Sequence, residues 1–405
     1  MIAAEAKAPT GPRTAIPTRQ EAIARARALA PEIAKRAPAA ERLAMVPQES
    51  IDALRESGLF GVVTPKRFGG AELGFGALFD VTVEIAAACP STGWVYGVVA
   101  GHSWLVNLFP LEAQEEVLAD PNALSATLFR LAGDVVEVEG GYRLTGGSGR
   151  FASGVDHASW LIVGNAVQRK GALPDPHFFI LPRPDFEIID DWSVVGMRAT
   201  GSKSVTVRDC FIPKHRAVRL SDMLAGTSPG AKAHDGPLYR LPFSSVAPFS
   251  IVGAPIGAAR GGIECFAEMM KARLAGVGAE ELADAGDTLA RLASSAAKLD
   301  AAIALVRTSA ARIDALGPSE ALTATEITNI PRNWAYAVQS AREAINALFE
   351  VSGGSQVYDS SQLQRFWRDA NAGAQHFAFT WGAAMKAAGR AMVGASPSAF
   401  ALKSK

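Results

Sequence analysis

The chain has 405 residues, 49% of them hydrophobic and 20% charged, with 40 basic side chains balancing 40 acidic ones. That length allows two or three domains around a large core, and the zero net charge gives no electrostatic case for nucleic acid or an anionic membrane. Three widely separated cysteines (Cys89, Cys210, Cys265), with no CxxC and no metal-ligand spacing, predict no metal site and a reducing cytoplasmic setting.

The N-terminal MIAAEAKAPTGPRTAIPT has no apolar segment of the secretory kind and reads as a loose tail. No run approaches the ~18 apolar residues of a membrane span. From about Thr18 the spacing turns helical: RQEAIARARALAPEIAKRA sets alanines and Leu29 on one face, with Pro31 interrupting. VPQESIDALRESGLF predicts a second helix with Ile51, Leu54 and Leu59 on one face, broken by Gly61 and Pro65. The apolar FGALFDVTVEIAAACPSTGWVYGVVAGHSWLVNLF predicts two buried helices divided at Cys89-Pro90, and PLEAQEEVLAD a short amphipathic one. These make an N-terminal helical domain, residues 1–120.

The period then changes. ALSATLFRL, DVVEVEGGYRLTG, GRFASGV, ASWLIVGNAV, HFFILPR, FEIIDDW and SKSVTVRDCFIP are short β-branched or aromatic runs bounded by Gly, Asp and Pro. Gly140-Gly141 suits the positive φ of a tight hairpin. Close strands without helices between them predict a compact antiparallel β domain, residues 121–217. Residues 218–242 read as a long loop. From Phe243 the long alanine-rich runs predict a C-terminal four-helix bundle, so the third unit is 218–405. The fold class is α+β in the order α, β, α bundle.

GxGxxG after a strand, GxxxxGK[ST], HExxH and GxSxG are all absent, so a nicotinamide has no site of the usual kind. The densest polar and aromatic stretch is SGGSQVYDSSQLQRFWRDANAGAQHFAFTW, residues 352–381. It holds Gly353-Gly354, Arg365, Arg368 and Asp369, then His376 seven residues further on, and no acidic residue follows Asp369.

Four segments in order, GLFGVVTPKRFGGAEL, GGYRLTGGSGRFASGVDHASWL, DWSVVGMRATGSKSVTVRDCFIP and GGSQVYDSSQLQRFWRDA, resemble the acyl-CoA dehydrogenase superfamily over nearly the whole chain. The resemblance implies a flavin between β domain and C-terminal bundle, and a homotetramer. The carboxylate base of the dehydrogenases is missing, however. Phe377 stands at one of its two family positions and Ala247 at the other. What remains resembles the flavin-dependent monooxygenase branch, the oxygenase components of two-component phenol hydroxylases. That branch uses reduced FMN or FAD delivered by a separate NAD(P)H:flavin reductase, and O2 added at flavin C4a as a hydroperoxide, to hydroxylate a small phenolic or indolic substrate. N- and S-oxygenases are relatives on the same scaffold.

By that resemblance His376 stabilises the hydroperoxide, although a His among apolar neighbours is by default a satisfied core residue. His102, in VVAGHSWLVNLF, is implied as the base or phenol-orienting group; a lone His on an apolar helix is otherwise core. Ser153, in RFASGVDH, matches a hydroxyl reaching flavin N5, and is otherwise a turn residue. Phe151, Trp192, Thr200 and Ser202 are implied at the flavin, or as core and strand caps. His157 is adjacent, with a surface role equally open. Arg273 matches an Arg approaching the flavin phosphate, and Gly353 and Gly354 would let backbone approach the flavin tail. Arg365, Arg368 and Asp369 are expected to form a supporting buried ion-pair network.

Overall fold

In a computed structural model, which describes residues 14–395 apart from 170, 172, 279–280, 282–284 and 318–319, the first helical run forms one continuous helix, α1 (Arg19–Leu43). Most of the expected N-terminal tail lies outside the described residues. Thr18 caps α1, its hydroxyl accepting the Glu21 N–H at 3.1 Å. The interruption expected at Pro31 does not occur, and α1 runs through Pro31 and Pro38 alike. Its buried face of Ala22, Ala26, Ile33, Ala37 and Ala40 holds it against the fold, and that packing outweighs the local preference against proline.

After α2 (Gln48–Glu56) come α3 (Phe75–Ala88) and α4 (Pro90–Val106), divided at Cys89, whose extended backbone leads Pro90 into the first turn of α4. Every residue of α3 from Phe75 to Ala86 is buried, so it is a core helix without a solvent face. The short α5 (Leu111–Leu118) leads into the strands.

The strands are β1 (Ser125–Leu128), β2 (Asp134–Val138), β3 (Gly141–Thr145), β4 (Gly147–Ala152), β5 (Trp160–Gln168), β6 (Asp175–Pro182), β7 (Phe186–Ile189), β8 (Lys203–Val207), β9 (Cys210–Pro213) and β10 (Ala217–Arg219). One sheet runs β10-β6-β5-β2-β3-β9, with β1 also beside β5; the other is β4-β8-β7. The expected hairpin is present, with Val138 opposite Gly141 and Gly140 at φ 78°. A wholly antiparallel domain is not. β1 and β2 both run parallel to β5, which their long connections permit and which an apolar pattern cannot reveal, since it reports a strand's face and not its direction. Leu161 and Val163 pack with Val205 and Val207 inside the sandwich, while Ile162 between them joins the helical core.

Residues 218–242, expected as a long loop, contain the end of β10 and α6 (Leu220–Ala225), and dock on the core. The Trp104 indole N–H donates to the Leu238 carbonyl at 2.8 Å and the Tyr239 hydroxyl to Val63 at 3.0 Å. Then follow α7 (Phe243–Val246), α8 (Phe249–Arg273), α9 (Gly286–Asp314), α10 (Ala324–Phe349), α11 (Gln362–Gly373) and α12 (Trp381–Met392). The segment Phe243–Arg273 is apolar and long enough for a membrane by composition, yet 78% of its most apolar window is buried in the fold. α8 lies along α3, and a Cβ at Gly257 would come within 2.6 Å of the Ala86 side chain, so the small residue sets the approach. Asp314, at the end of α9, accepts the Phe75 and Gly76 N–H groups at 2.9 Å each and caps α3 from across the chain.

Candidate active site

Ser153 owes its position to an irregularity. The β4–β8 register shifts between Gly149 and Ala152, and Phe151 there takes φ 73° with its ring 68% exposed. A bulge re-aims side chains, and a positive φ outside glycine is strain that the surroundings must hold. The Phe151 ring meets Trp192 edge to face at 6.0 Å, and the Trp192 indole N–H donates to the Met197 carbonyl at 3.3 Å. Beyond the bulge, Ser153 Oγ accepts the Trp94 indole N–H at 3.1 Å and lies 2.8 Å from Ser202 Oγ. Ser202 Oγ is 2.7 Å from Thr200 Oγ1, whose hydroxyl donates to the Met197 carbonyl at 2.8 Å.

The two expected catalytic histidines are neutral and oppositely polarised. His376 precedes a single helical turn (Phe377–Phe379), and its Nδ1 accepts the Ala378 N–H at 3.2 Å. The proton therefore sits on Nε2, which is a donor. His102 Nδ1 is 2.6 Å from the Ser125 carbonyl, so it must carry the proton, leaving Nε2 a free acceptor. Desolvation lowers both imidazoles to about 4.

Trp94 joins these pieces. It donates to Ser153, and its ring packs 5.7 Å from that of His376. It precedes His102 by two helical turns, with Val98 between, so both lie on one face of α4. Trp94 is not among the residues expected at the site, although its spacing of four and eight from Val98 and His102 is present in the sequence. Phe377, expected only as the residue in place of a carboxylate, belongs to a row of phenylalanines: Phe129 meets Phe178, Phe243 and Phe377 at 6.0, 6.2 and 5.7 Å. Phe129 and Phe377 are 46% and 48% exposed beside the His376 ring, which is 4.4 Å from Phe377. Nothing in the sequence brings Phe129 to Phe377, since 248 positions separate the end of β1 from the helical turn after His376.

Asp369 is buried and accepts the Met197 N–H at 2.5 Å, and burial raises its carboxyl to about 6. A Cβ at Gly196 would meet the Arg368 carbonyl at 2.6 Å, so glycine lets the loop reach α11 there. The expected ion-pair network is corrected in its partners: Arg368 pairs with Glu41 of α1 and donates to the Val195 carbonyl, while Arg365 and Arg368 act on Asp369 through their charge. His157 bonds Val46 and Gln48 at 2.9 and 3.1 Å and ties the sandwich to the N-terminal helices. Arg273 ends α8 in solvent, and Gly353 and Gly354 form an exposed turn with no atom within 4 Å of a built Cβ. Within one chain these three are not joined to the cluster around Ser153.

A flavin ring requires a flat apolar surface and polar partners along its edge. The exposed Phe151 ring, the three linked hydroxyls, and the buried Thr127 hydroxyl on β1, which has no partner among the described residues, fit that requirement.

Models of the acyl-CoA dehydrogenase N-terminal and C-terminal domains match residues 18–120 and 249–381. The chain belongs to the acyl-CoA dehydrogenase family. It is 35% identical over 353 residues to a flavin-dependent monooxygenase, oxygenase subunit HsaA, from Mycobacterium tuberculosis, covering 86% of this chain and 89% of that one. It is 34% identical over 372 residues to the oxygenase component of an FADH2-dependent resorcinol hydroxylase from Rhizobium sp., covering 88% and 90%. The crystal structure of 3-HSA hydroxylase from Rhodococcus sp. RHA1 superposes with a TM-score of 0.89 at 33% identity, covering 93% of this chain and 97% of that one. Within the family, the chain thus stands with the flavin-dependent monooxygenases.

Proposed function

We propose that this chain is the oxygenase component of a two-component flavin-dependent monooxygenase, taking reduced FMN or FAD from a separate reductase and hydroxylating a small aromatic substrate with O2. The observation that carries the reading is the opposite polarity of two neutral histidines flanking Trp94, where the dehydrogenases need a carboxylate and this chain has Phe377. Bound reduced flavin would supply the activation of O2, one oxygen atom going to the substrate ring and the other leaving as water.

The chain's own residues supply the rest. Phe151, Trp192, Ser153, Thr200 and Ser202 would hold the flavin ring. His376 offers Nε2–H as an uncharged donor for oxygen held at that ring. His102 offers Nε2 as an acceptor for a substrate hydroxyl. An imidazole held at about 4 cannot fully deprotonate a phenol near ~10. It orients and polarises the O–H instead, raising electron density on the ring. Phe129 and Phe377 wall the aromatic substrate. Arg273, Gly353 and Gly354, remote from this cluster and exposed, would serve the flavin's phosphate end across a subunit boundary of a homotetramer.

Stopped-flow mixing of the reduced FMN complex with O2 tests the reading. A transient distinct from reduced and oxidised flavin is expected, and a panel of phenols should be hydroxylated. Direct return to oxidised flavin, indifferent to phenols, amines and thioethers, would sink it. His376→Ala should shorten the transient roughly tenfold, the worth of one well-made hydrogen bond. His102→Ala should spare the transient and lose hydroxylation.

A further inference from the structure

The three hydroxyls beside the site are a relay with a direction. Thr200 has one hydroxyl proton, and the Met197 carbonyl, which cannot donate, takes it. The bond between Thr200 and Ser202 must then use the Ser202 proton. The bond between Ser202 and Ser153 must likewise use the Ser153 proton. The Trp94 indole, a donor only, fills one lone pair of Ser153. What Ser153 still has to offer is a lone pair.

We infer that Thr200 and Ser202 are positioning residues that make Ser153 an acceptor, and so set the site to prefer reduced flavin, which carries a proton on N5, over oxidised flavin, whose N5 is itself an acceptor. The inference rests on the flavin reading above and deepens it. To receive oxidised flavin, the relay must turn round so that Ser153 donates to N5. Thr200 then points at Ser202, and its bond to Met197 is lost with nothing formed in exchange. The preference is therefore worth one hydrogen bond. An oxygenase supplied with reduced flavin from outside, and obliged to release oxidised flavin afterwards, gains from that bias at both ends of its cycle.

Removing either link abolishes the bias by a different route. Without the Thr200 hydroxyl, the Ser202 proton is free to run either way. Without the Ser202 hydroxyl, Ser153 is free to donate or accept. The test is the ratio of dissociation constants for oxidised and reduced FMN, the latter titrated anaerobically and followed by tryptophan fluorescence. Thr200→Val and Ser202→Ala should each lower that ratio roughly three- to tenfold. Thr200→Ser, which keeps the hydroxyl, should restore it, and Trp94→Phe should weaken both forms alike and leave it standing. Wild-type ratios in Thr200→Val and Ser202→Ala would overturn the relay while leaving the flavin reading intact. Failure of wild-type protein to bind either form would overturn both.

Discussion

His102 and His376 have similar surroundings and opposite hydrogen-bonding states, because the carbonyl of Ser125 engages one and the N–H of Ala378 the other. Their shared burial has a thermodynamic side. His102, His234 and His376 are each held at about 4 by desolvation, and His157 is lowered for the same reason. An unfolded histidine titrates near ~6.5, so below that pH the unfolded chain binds more protons than the folded one. Stability from these imidazoles is complete above ~6.5 and is lost as pH falls towards about 4. Asp369, raised to about 6, and Asp314, also raised by burial, act in the opposite sense but are fewer. The urea midpoint should fall between pH 7 and pH 5, and His376→Gln should flatten the slope. A midpoint that holds or rises would mean that the imidazoles are better hydrated than described. The identity of His102, Ser153 and His376 as candidates was legible from motif position. Their donor and acceptor states were not, since these depend on backbone groups that only the folded chain brings within reach.

At the scale of elements, local signals performed well where an element's reasons are local. Cys89-Pro90 divides α3 from α4, and Gly140 turns the β2–β3 hairpin, as the residues predict. They failed where packing decides. α1 passes through two prolines, and β5 receives β1 and β2 in parallel. The Asp314 cap of α3 belongs to the second kind, being a carboxylate supplied from 238 positions away. Asp314→Ala should cost roughly 1–2 kcal/mol by chemical denaturation, as for other lost helix caps, while FMN affinity stays unchanged. An affinity that falls with stability would place the cap within the site's own support.

Taken whole, the molecule draws its candidate site from all three segments: α4 carries Trp94 and His102, the β4 bulge Ser153, and the turn after α11 His376. That convergence was legible only through resemblance, because no local pattern ties residue 102 to residue 376. The exposed Tyr336 and Trp381, 6.2 Å apart on the C-terminal bundle, leave apolar surface suited to association. Light scattering should give four times the 42.4 kDa chain mass, and Trp381→Glu should reduce it. A monomeric wild type that binds flavin tightly would remove the need for Arg273, Gly353 and Gly354 to act across a boundary.

The all-round burial of α3 also poses a problem of timing during synthesis. Its principal companion, α8, begins only at Phe249, so at ~5–20 residues per second an apolar helix leaves the ribosome on the order of ten to thirty seconds before its cover exists. Residues 75–88 are therefore the segment for which a nascent chain most needs shielding. The yield of soluble protein should therefore respond to the pace of translation and the supply of chaperones, however stable the finished molecule is.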